Sequence, residues 1–403
     1  CGFDPTADAL TIGNLLPLKM LAHWQRAGHR PIALMGGATG LIGDPSGKST
    51  ERVLLDRDRV EANIGNYQAT FERVLDFDCS GEHRATIVNN HDWLGSLGYI
   101  HMLRDVGKHF SVNMMIQKES VSARLTEREQ GISYTEFSYM ILQAYDFLHL
   151  NRTMNCTVQI GGSDQYGNIV AGIDLIRRLV GREDHASPDA EGRAYGVTNP
   201  LVTRSDGGKI GKSEQGAIWL DPRKTSPYAF YQFWLNTADE DVVKFLKWFT
   251  FEDRERIEAL ERSTLEAPQA REAQQVLAES MTRMLHGDHE FDRARSASRA
   301  LFSGEVGDLD APMLAEVFAD VPSSRHPVSL LEGEGGDLVE LLAETTLASS
   351  RREARQFLEQ GAVSINGSKV PLDRRLTTTD LLHGRMVLIR RGKKAWHALE
   401  FEA

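Results

Sequence analysis

The sequence predicts an α/β fold, a doubly wound parallel sheet, followed by an all-helical region and a small α+β region. Three short apolar runs have the length of buried strands: 30–35, 85–88 and 156–160. Stretches with helical periodicity lie before, between and after them: 12–27, 134–150 and 165–180. Strands that alternate with helices are typical of a parallel sheet that is covered by helices on both faces.

Small and polar residues cluster where two of these predicted strands end. Gly36–Gly40 follows the strand that ends at Met35, and Gly161–Gln165 follows the strand that ends at Ile160. In open parallel sheets, ligands bind beyond the carboxyl ends of the strands. The layout therefore predicts a nucleotide-type site at this edge.

The sequence pattern changes twice in the second half of the chain, first to helices alone and then to a segment rich in turn-forming residues. Residues 223–304 show only helical patterns, with one apolar stripe over 242–249 and another over 276–285 that Gly287 closes as a C-cap. Residues 305–336 are rich in Gly, Pro, Asp and Ser, which predicts a linker. Two short helices and two strands are expected within 337–403.

Composition excludes several classes of protein. Apolar residues make up 41% and charged residues 26% of 403 residues, which is ordinary for a globular chain. No run approaches the roughly 18 apolar residues of a membrane span. Three widely spaced cysteines form neither a disulfide framework nor a metal cluster, so we expect a reducing, cytoplasmic setting. The first residue is Cys and no signal peptide is visible, so we expect a trimmed N-terminus.

Charge is distributed unevenly along the chain. The whole sequence carries 46 Lys and Arg against 57 Asp and Glu, a net charge of −11. Residues 351–403 carry eleven Lys and Arg against six Asp and Glu, a net of +5. A basic tail on an acidic body favours an anionic partner for the tail, with a solvated surface patch as the alternative.

Two glycine-rich motifs fail on spacing. Gly43–Ser49 is similar to a P-loop, but three residues separate its glycines where that loop needs four. Gly36–Gly43 does not fit the dinucleotide pattern G-x-G-x-x-G. Either segment, taken alone, is equally compatible with a plain loop.

Three other segments fit a site for a nucleoside polyphosphate. Thr11–Asn14 opens a helix, where free backbone N–H groups and the helix dipole favour phosphate. Gly207–Ser213 carries two lysines suited to the charge of a departing polyphosphate, with an exposed turn as the alternative. Asp164, at a strand-to-helix switch, is suited to ribose hydroxyls; a helix N-cap is its alternative.

The motifs together resemble bacterial-type tyrosyl-tRNA synthetases, which are class I aminoacyl-tRNA synthetases. The stretches that carry the resemblance are Cys1–Asp8, Gly36–Ser46, Gly107–Asn113, Tyr134–Phe147, Gln159–Gln165 and Lys209–Ser213. It implies a Rossmann-type catalytic domain at 1–222, a helical domain at 223–304, a linker at 305–336 and an RNA-binding domain at 337–403, similar to one in a ribosomal small-subunit protein.

The resemblance also implies the reaction and its partners. Tyrosine and ATP, with Mg²⁺ and without a tightly protein-bound metal, would give tyrosyl-adenylate and pyrophosphate. The tyrosyl group would then pass to the 3′ end of tRNA(Tyr) in the cytoplasm. A homodimer is implied, with its subunit contact near 89–113.

Residue roles follow from matching positions. Those implied for tyrosine are Asp44, Tyr139 and Gln143 at the ammonium, Asp146 at the phenol hydroxyl, and Gln159 and Gln165 in the pocket. Those implied for ATP are Asp4, Thr6, Gly13 and Asp164. Those implied for the polyphosphate are Lys48, Arg52, Lys209, Lys212 and Ser213. For tRNA phosphates we expect Arg351, Arg352, Arg355, Arg390, Arg391, Lys393 and Lys394.

The chain departs from the family at one signature. The family has His-Ile-Gly-His where this chain has Thr11-Ile-Gly-Asn14. Asn offers a donor much as neutral histidine does, whereas Thr offers one short hydroxyl. These differences leave a catalytically impaired RNA-binding paralogue as the alternative. A tryptophan-specific relative is disfavoured by Asp146 together with Tyr139 and Gln143.

Overall fold

The structure of the chain is a computed structural model. It describes residues 1–46, 54–118, 121–122, 125, 131–179, 193–205, 207–208, 210–213, 216–319, 321–392 and 395–402, with the backbone alone at 212–213 and 301–302. These residues form two compact units. The first comprises 1–226 and 236–285, and the second comprises 227–235 and 286–403.

The helices and strands of the first unit alternate as predicted. Its strands are β1 Gly2–Phe3, β2 Ile32–Met35, β3 Thr86–Asn89, β4 Val158–Gly162, β5 Tyr195–Asn199, β6 Lys212–Ser213 and β7 Gly216–Ala217. Its helices up to β5 are α1 Ile12–Arg26, α2 Thr39–Ile42, α3 Arg57–Val74, α4 His91–Leu94, α5 Tyr99–His101, α6 Val112–Ile116, α7 Tyr134–Met154 and α8 Tyr166–Leu179.

Parallel pairing brings the strand ends to one edge. β1, β2 and β3 form a parallel sheet in which Phe3 pairs with Met35 and Met35 with Asn89. β4 and β5 form a second parallel pair that ends at Gly162 and Asn199. The α/β prediction is therefore confirmed: β1 to β5 form two parallel groups, and the short strands β6 and β7 form a separate antiparallel pair.

Local sequence sets the ends of the long helix α7. The Ser133 hydroxyl accepts the backbone N–H of Glu136 and caps its start. Asn155 ends it in the left-handed conformation, with φ of 54°. Phe147 and Leu148 on this helix are almost fully buried, in a cluster with Leu175 and Ile176 of α8. The helix is thereby held firmly against its neighbour.

Helices dominate the region after residue 226. They are α9 Pro227–Leu235, α10 Asp239–Phe249, α11 Arg254–Glu266 and α12 Glu272–Ser303. The predicted stripe on α10 is buried through Val242, Leu246 and Phe249. Gly287 adopts φ of 84° and ψ of 172° and interrupts α12, where the sequence predicts a C-cap. None of the described helices has the length and apolar character needed to cross a bilayer.

The second unit contains a mixed sheet. Its remaining elements are α13 Ala311–Val317, β8 Ser323–Pro327, β9 Gly336–Asp337, α14 Leu338–Ala343, α15 Arg351–Glu359, β10 Val363–Ile365, β11 Ser368–Lys369, β12 Arg375–Leu376, β13 Met386–Arg391 and β14 Ala395–Glu402. The five-stranded sheet has the order β11-β10-β13-β14-β8, and only the β14–β8 pair is parallel. Its core includes Leu341, Leu358, Val387 and Leu399.

The prediction of a linker at 305–336 is wrong. Asp310 caps helix α13, which buries Met313, Leu314 and Val317. Strand β8 pairs with β14 over five residues. The sequence of β8 is Ser-Ser-Arg-His-Pro. A polar edge strand of this kind has no apolar run from which a strand could be predicted.

Candidate active site

Side chains that follow β1, β2 and β3 form one hydrogen-bonded chain. The Thr39 hydroxyl donates to Asp4 Oδ1 at 2.8 Å and accepts from Asn90 Nδ2 at 2.9 Å. Asn90 Nδ2 also donates to Asp146 Oδ2 at 2.9 Å. Tyr139 donates its phenol proton to Asp4 Oδ2 at 2.7 Å. The ends of three parallel strands are thereby tied to helix α7.

The glycines after β2 allow this close approach. A Cβ on Gly36 would lie 2.0 Å from Asp4 Oδ1, and a Cβ on Gly37 would lie 2.1 Å from Asn89 Oδ1. Any side chain at either position would displace the carboxylate or the amide. The glycine-rich turn of the sequence is therefore a packing requirement of this edge of the sheet.

Asp146 is a buried carboxyl with two protein donors. Its side chain is 2% exposed, and its Oδ1 accepts the Trp93 indole N–H at 2.7 Å. Burial raises the pKa of Asp146 to about 7, although the hydrogen bonds from Asn90 and Trp93 favour the charged form. The neighbouring charge of Asp4 adds to the rise. Asp146 is thus poised between its two protonation states near neutral pH.

Tyr139 stays a phenol under ordinary conditions. Burial, followed by the charges of Asp4 and Asp44, raises its pKa well above the usual value. Its proton is directed at Asp4 Oδ2. Tyr139 therefore orients the Asp4 carboxylate and carries no charge itself.

A second polar group joins residues from the loop after α2, from α7, from the turn Ser163–Gln165 and from α8. Gln165 Nε2 donates to Asp44 Oδ2 at 2.6 Å and to Asp164 Oδ2 at 3.4 Å. Asn168 Nδ2 donates to Gln143 Oε1 at 2.8 Å. Within the described residues, Gln159 Oε1 is buried and has no hydrogen-bond partner. Such an acceptor is suited to a ligand donor, since an unmatched buried oxygen is costly.

The start of α1 meets the segment that follows the lysine loop. Ile12 N donates to Ile218 O at 3.3 Å, and Ile218 N donates to Gly211 O at 2.8 Å. A Cβ on Gly211, which has φ of +77°, would lie 3.3 Å from Ile12 Cβ. Two of the predicted phosphate-binding segments are therefore adjacent. Thr6 and Gly13, on the approach to α1 and in its first turn, are exposed.

Several predicted cations fall outside the described residues: Lys48, Arg52, Lys209, Lys393 and Lys394. The side chains of Lys212 and Ser213 are likewise outside them. Where side chains are described, no three His, Cys, Asp or Glu residues gather as a metal site.

The basic side chains of the second unit divide into two groups. Arg351, Arg352 and Arg355 are exposed or partly exposed on α15, and Arg351 pairs with Glu340 at 3.1 Å. Arg391 donates to the Leu347 carbonyl and lies over the Phe357 ring. These positions are compatible with a phosphate-binding surface.

The expectation for Arg390 is wrong. Its side chain is buried, at 8% exposure, and its guanidinium lies 5.1 Å from the centre of the Trp396 ring. Arg390 and Trp396 are also paired across β13 and β14. A guanidinium that is packed in this way stabilises the domain and is not available to a phosphate.

Sequence reasoning missed the residues that hold the predicted ones. Asn90 and Trp93 follow β3 and contact Asp146, which is 56 and 53 positions away. Thr39 and Asn168 play comparable parts for Asp4 and Gln143. For Asn90 the sequence does offer a signal: two adjacent asparagines directly follow a predicted strand, at the edge of the sheet where ligands bind.

Comparison with known families defines the class. A family model described as "tRNA synthetases class I (W and Y)" matches residues 1–303. The chain therefore belongs to the class I tRNA synthetases, and the parallel sheet with its polar carboxyl edge agrees with that class. A second model, "Tyrosine--tRNA ligase SYY-like C-terminal domain", matches residues 313–399.

Individual relatives narrow the assignment. A tyrosine–tRNA ligase of Bacillus caldotenax is 52% identical over 404 aligned residues, which cover 100% of this chain and 92% of the relative. One from Staphylococcus epidermidis is 50% identical and is covered to 91%. A solved, C-terminally truncated mitochondrial tyrosyl-tRNA synthetase of Aspergillus nidulans matches with a TM-score of 0.66 at 32% identity, over 75% of this chain and 84% of that one. The chain is a member of the bacterial-type tyrosyl-tRNA synthetases, as the sequence resemblance predicted.

Proposed function

We propose that the chain activates L-tyrosine with ATP and transfers it to tRNA(Tyr), with residues of the first unit holding both small substrates. The observation that carries the proposal is the buried Asp146 carboxyl, fixed by Asn90 and Trp93 at the edge where three parallel strands end. A carboxyl in that position favours a ligand with a hydroxyl, because each oxygen of the buried group accepts one protein donor and an apolar ligand would leave its remaining acceptor capacity unfilled. Full-length tyrosine–tRNA ligases at 50% to 52% identity support the same activity.

The tyrosine end of the site is proposed from the two polar groups. Asp146 accepts the phenol hydroxyl, and the unmatched Gln159 Oε1 lies ready for a donor of the ligand. Asp44 supplies the negative charge for the ammonium, together with the polar atoms of Tyr139 and Gln143. Gln165 orients Asp44 through its 2.6 Å hydrogen bond.

The ATP end is proposed at the start of α1. Backbone N–H groups of Gly13 and its neighbours favour phosphate oxygens. Asp4, Thr6 and Asp164 contribute polar atoms toward the adenosine. Lys48, Arg52, Lys209, Lys212 and Ser213 are assigned to the polyphosphate from their sequence positions. Mg²⁺ is proposed to arrive with ATP, held by phosphate oxygens and water.

The chemistry needs no covalent enzyme intermediate. The tyrosine carboxylate attacks the α-phosphorus of ATP and pyrophosphate departs, so that the residues act by positioning and by charge stabilisation. A terminal ribose hydroxyl of the tRNA then attacks the tyrosyl carbonyl, and AMP departs. The second unit binds tRNA phosphates through Arg351, Arg352, Arg355 and Arg391.

A homodimer is supported by exposed apolar side chains within and directly after 89–113, the segment near which the resemblance implies a subunit contact. Tyr99, Ile100, Leu103, Val112, Met114 and Ile116 are each between 41% and 73% exposed. Apolar patches of this kind mark interfaces more often than free surface. Three free cysteines fit the reducing cytoplasm.

Exchange of radioactive pyrophosphate into ATP tests the activation step. The full chain is expected to exchange only when tyrosine is present, and to charge tRNA(Tyr) in a second assay. Binding of tRNA without exchange would instead favour the impaired paralogue.

A further inference from the structure

Helix α7 presents a histidine to the indole that holds Asp146. The rings of His149 and Trp93 are stacked, with centres 4.3 Å apart and planes 15° apart. His149 lies three positions after Asp146 on the helix, so both side chains project from the same face. Trp93 is therefore held at two points by one helix, through its N–H and through its ring face.

The indole has one productive orientation. Its Nε1–H donates to Asp146 Oδ1 at 2.7 Å, at the short end of the range for N–H···O hydrogen bonds. Rotation of the ring about its side-chain bonds would withdraw that proton from a nearly fully buried carboxyl. The ring also packs against the apolar cluster of Ile32, Leu34 and Leu150. The stacked planar partner adds a preference for one plane of the indole ring, which apolar packing alone does not supply.

We propose that His149 is a positioning residue for tyrosine binding: its stacked ring fixes Trp93, and Trp93 in turn fixes the Asp146 carboxyl that receives the substrate hydroxyl. This inference rests on the proposed function of Asp146. Both oxygens of that carboxyl already accept protein donors, so the direction left for a third donor depends on where Asn90 and Trp93 stand. A shift of the indole therefore changes the direction from which an Asp146 oxygen can accept the hydroxyl of the substrate phenol.

The stack acts through ring shape rather than through charge. Burial lowers the pKa of His149 below its usual value, so the imidazole is neutral at neutral pH. A flat apolar ring at this position should therefore serve nearly as well. A branched aliphatic side chain of similar volume should not.

The test is a double-mutant cycle in the full chain, read by tyrosine-dependent pyrophosphate exchange. In His149→Leu we expect the KM for tyrosine to rise about three- to tenfold, the range that a lost aromatic pair gives, with kcat within about twofold. His149→Phe should restore the parental KM within about twofold. In the Trp93→Phe background, which lacks the indole N–H, His149→Leu should add almost nothing.

Three outcomes would overturn the inference. They are an unchanged KM in His149→Leu, equal KM values for the Leu and Phe variants, and a Leu effect of the same size in the Trp93→Phe background. Thermal unfolding of each variant shows whether a KM change merely follows lost stability. Asp146→Asn serves as the reference, because an unchanged KM there refutes the proposed role of Asp146 itself, whatever His149 does.

Discussion

The hydroxyl and the backbone N–H of Thr11 both donate to Oδ1 of Asn14, at 3.0 Å each. The single hydroxyl proton of Thr11 is thus used within the protein, at the first turn of α1. The same contact orients the Asn14 side chain, whose amide N–H₂ remains the donor group of this signature. We therefore propose that Asn14, rather than Thr11, serves the ATP phosphates.

This relationship predicts unequal effects at the two positions. Asn14→Ala should slow adenylate formation by about 10²- to 10³-fold, the usual cost of one preorganised donor. Thr11→Val, which keeps the shape and removes the hydroxyl, should cost less than about tenfold. Thr11→His should speed the step by about tenfold or more, since it adds a long-reaching donor. Single-turnover formation of tyrosyl-adenylate measures all three, and a Thr11→Val variant slower than Asn14→Ala would reverse the assignment.

The raised pKa of Asp146 predicts a specific dependence of stability on pH. Its pKa is about 7 in the folded protein and near 3.8 when unfolded. Between these values the folded state binds the additional proton, so this carboxyl contributes stability at low pH that is lost as pH rises through 7. The Asn side chain of Asp146→Asn does not titrate. The free energy of unfolding of this variant, relative to that of the parent, should therefore increase as pH rises from about 5 to about 8.

Urea unfolding of both proteins at the two pH values measures this difference, because the other titrating groups cancel between them. A difference that does not change between the two pH values would contradict the raised pKa, because it would show that Asp146 is ionised in the folded protein throughout this range.

The two kinds of arginine in the second unit predict opposite phenotypes. Arg352→Met, at an exposed position, should weaken tRNA binding, make its salt dependence shallower and leave thermal stability unchanged. Arg390→Met, at the buried position over Trp396, should lower thermal stability. Its salt slope should stay at the parental value. Filter binding at several salt concentrations and thermal unfolding distinguish the two variants. A shallower salt dependence of tRNA binding in Arg390→Met would contradict this assignment, because it would show that Arg390 contacts tRNA phosphates.

The pairing of β8 with β14 determines where the chain can be truncated to remove the C-terminal domain. A chain that ends at 336 retains β8 but loses β14, its hydrogen-bonded partner, and should aggregate. A chain that ends at 304 removes both strands. It is expected to keep tyrosine-dependent pyrophosphate exchange within about threefold and to lose at least about tenfold in tRNA charging. Loss of exchange in a folded 1–304 chain would place part of the tail in the catalytic fold.

The sequence predicts the strands and helices of this protein better than it predicts the side-chain hydrogen bonds that join them. Alternating strands and helices locate the carboxyl edge of the sheet, because buried parallel strands and amphipathic helices leave clear periodic patterns. The contact between Asn90 and Asp146 joins residues 56 positions apart and depends on how α7 packs, which no local pattern records.

Charge and composition mislead for a related reason. Arg390 belongs to a basic run, but its position opposite Trp396 on a strand decides that it is buried. The polar segment Ser323–Pro327 becomes a strand only because β14 offers it a parallel partner. In both places tertiary contacts override the local preference of the sequence.

Amino-acid selection by Asp146 is the most direct test of the proposed site. Pyrophosphate exchange should be measured with tyrosine and with phenylalanine, in the parent chain and in Asp146→Ala. The parent should prefer tyrosine by a factor of about 10⁴ to 10⁵, which is the discrimination already established for tyrosyl-tRNA synthetases as a class. Asp146→Ala should lose most of that preference, chiefly through a higher KM for tyrosine. A variant that still rejects phenylalanine as strongly as the parent would contradict the account, because the substrate hydroxyl would then be recognised elsewhere.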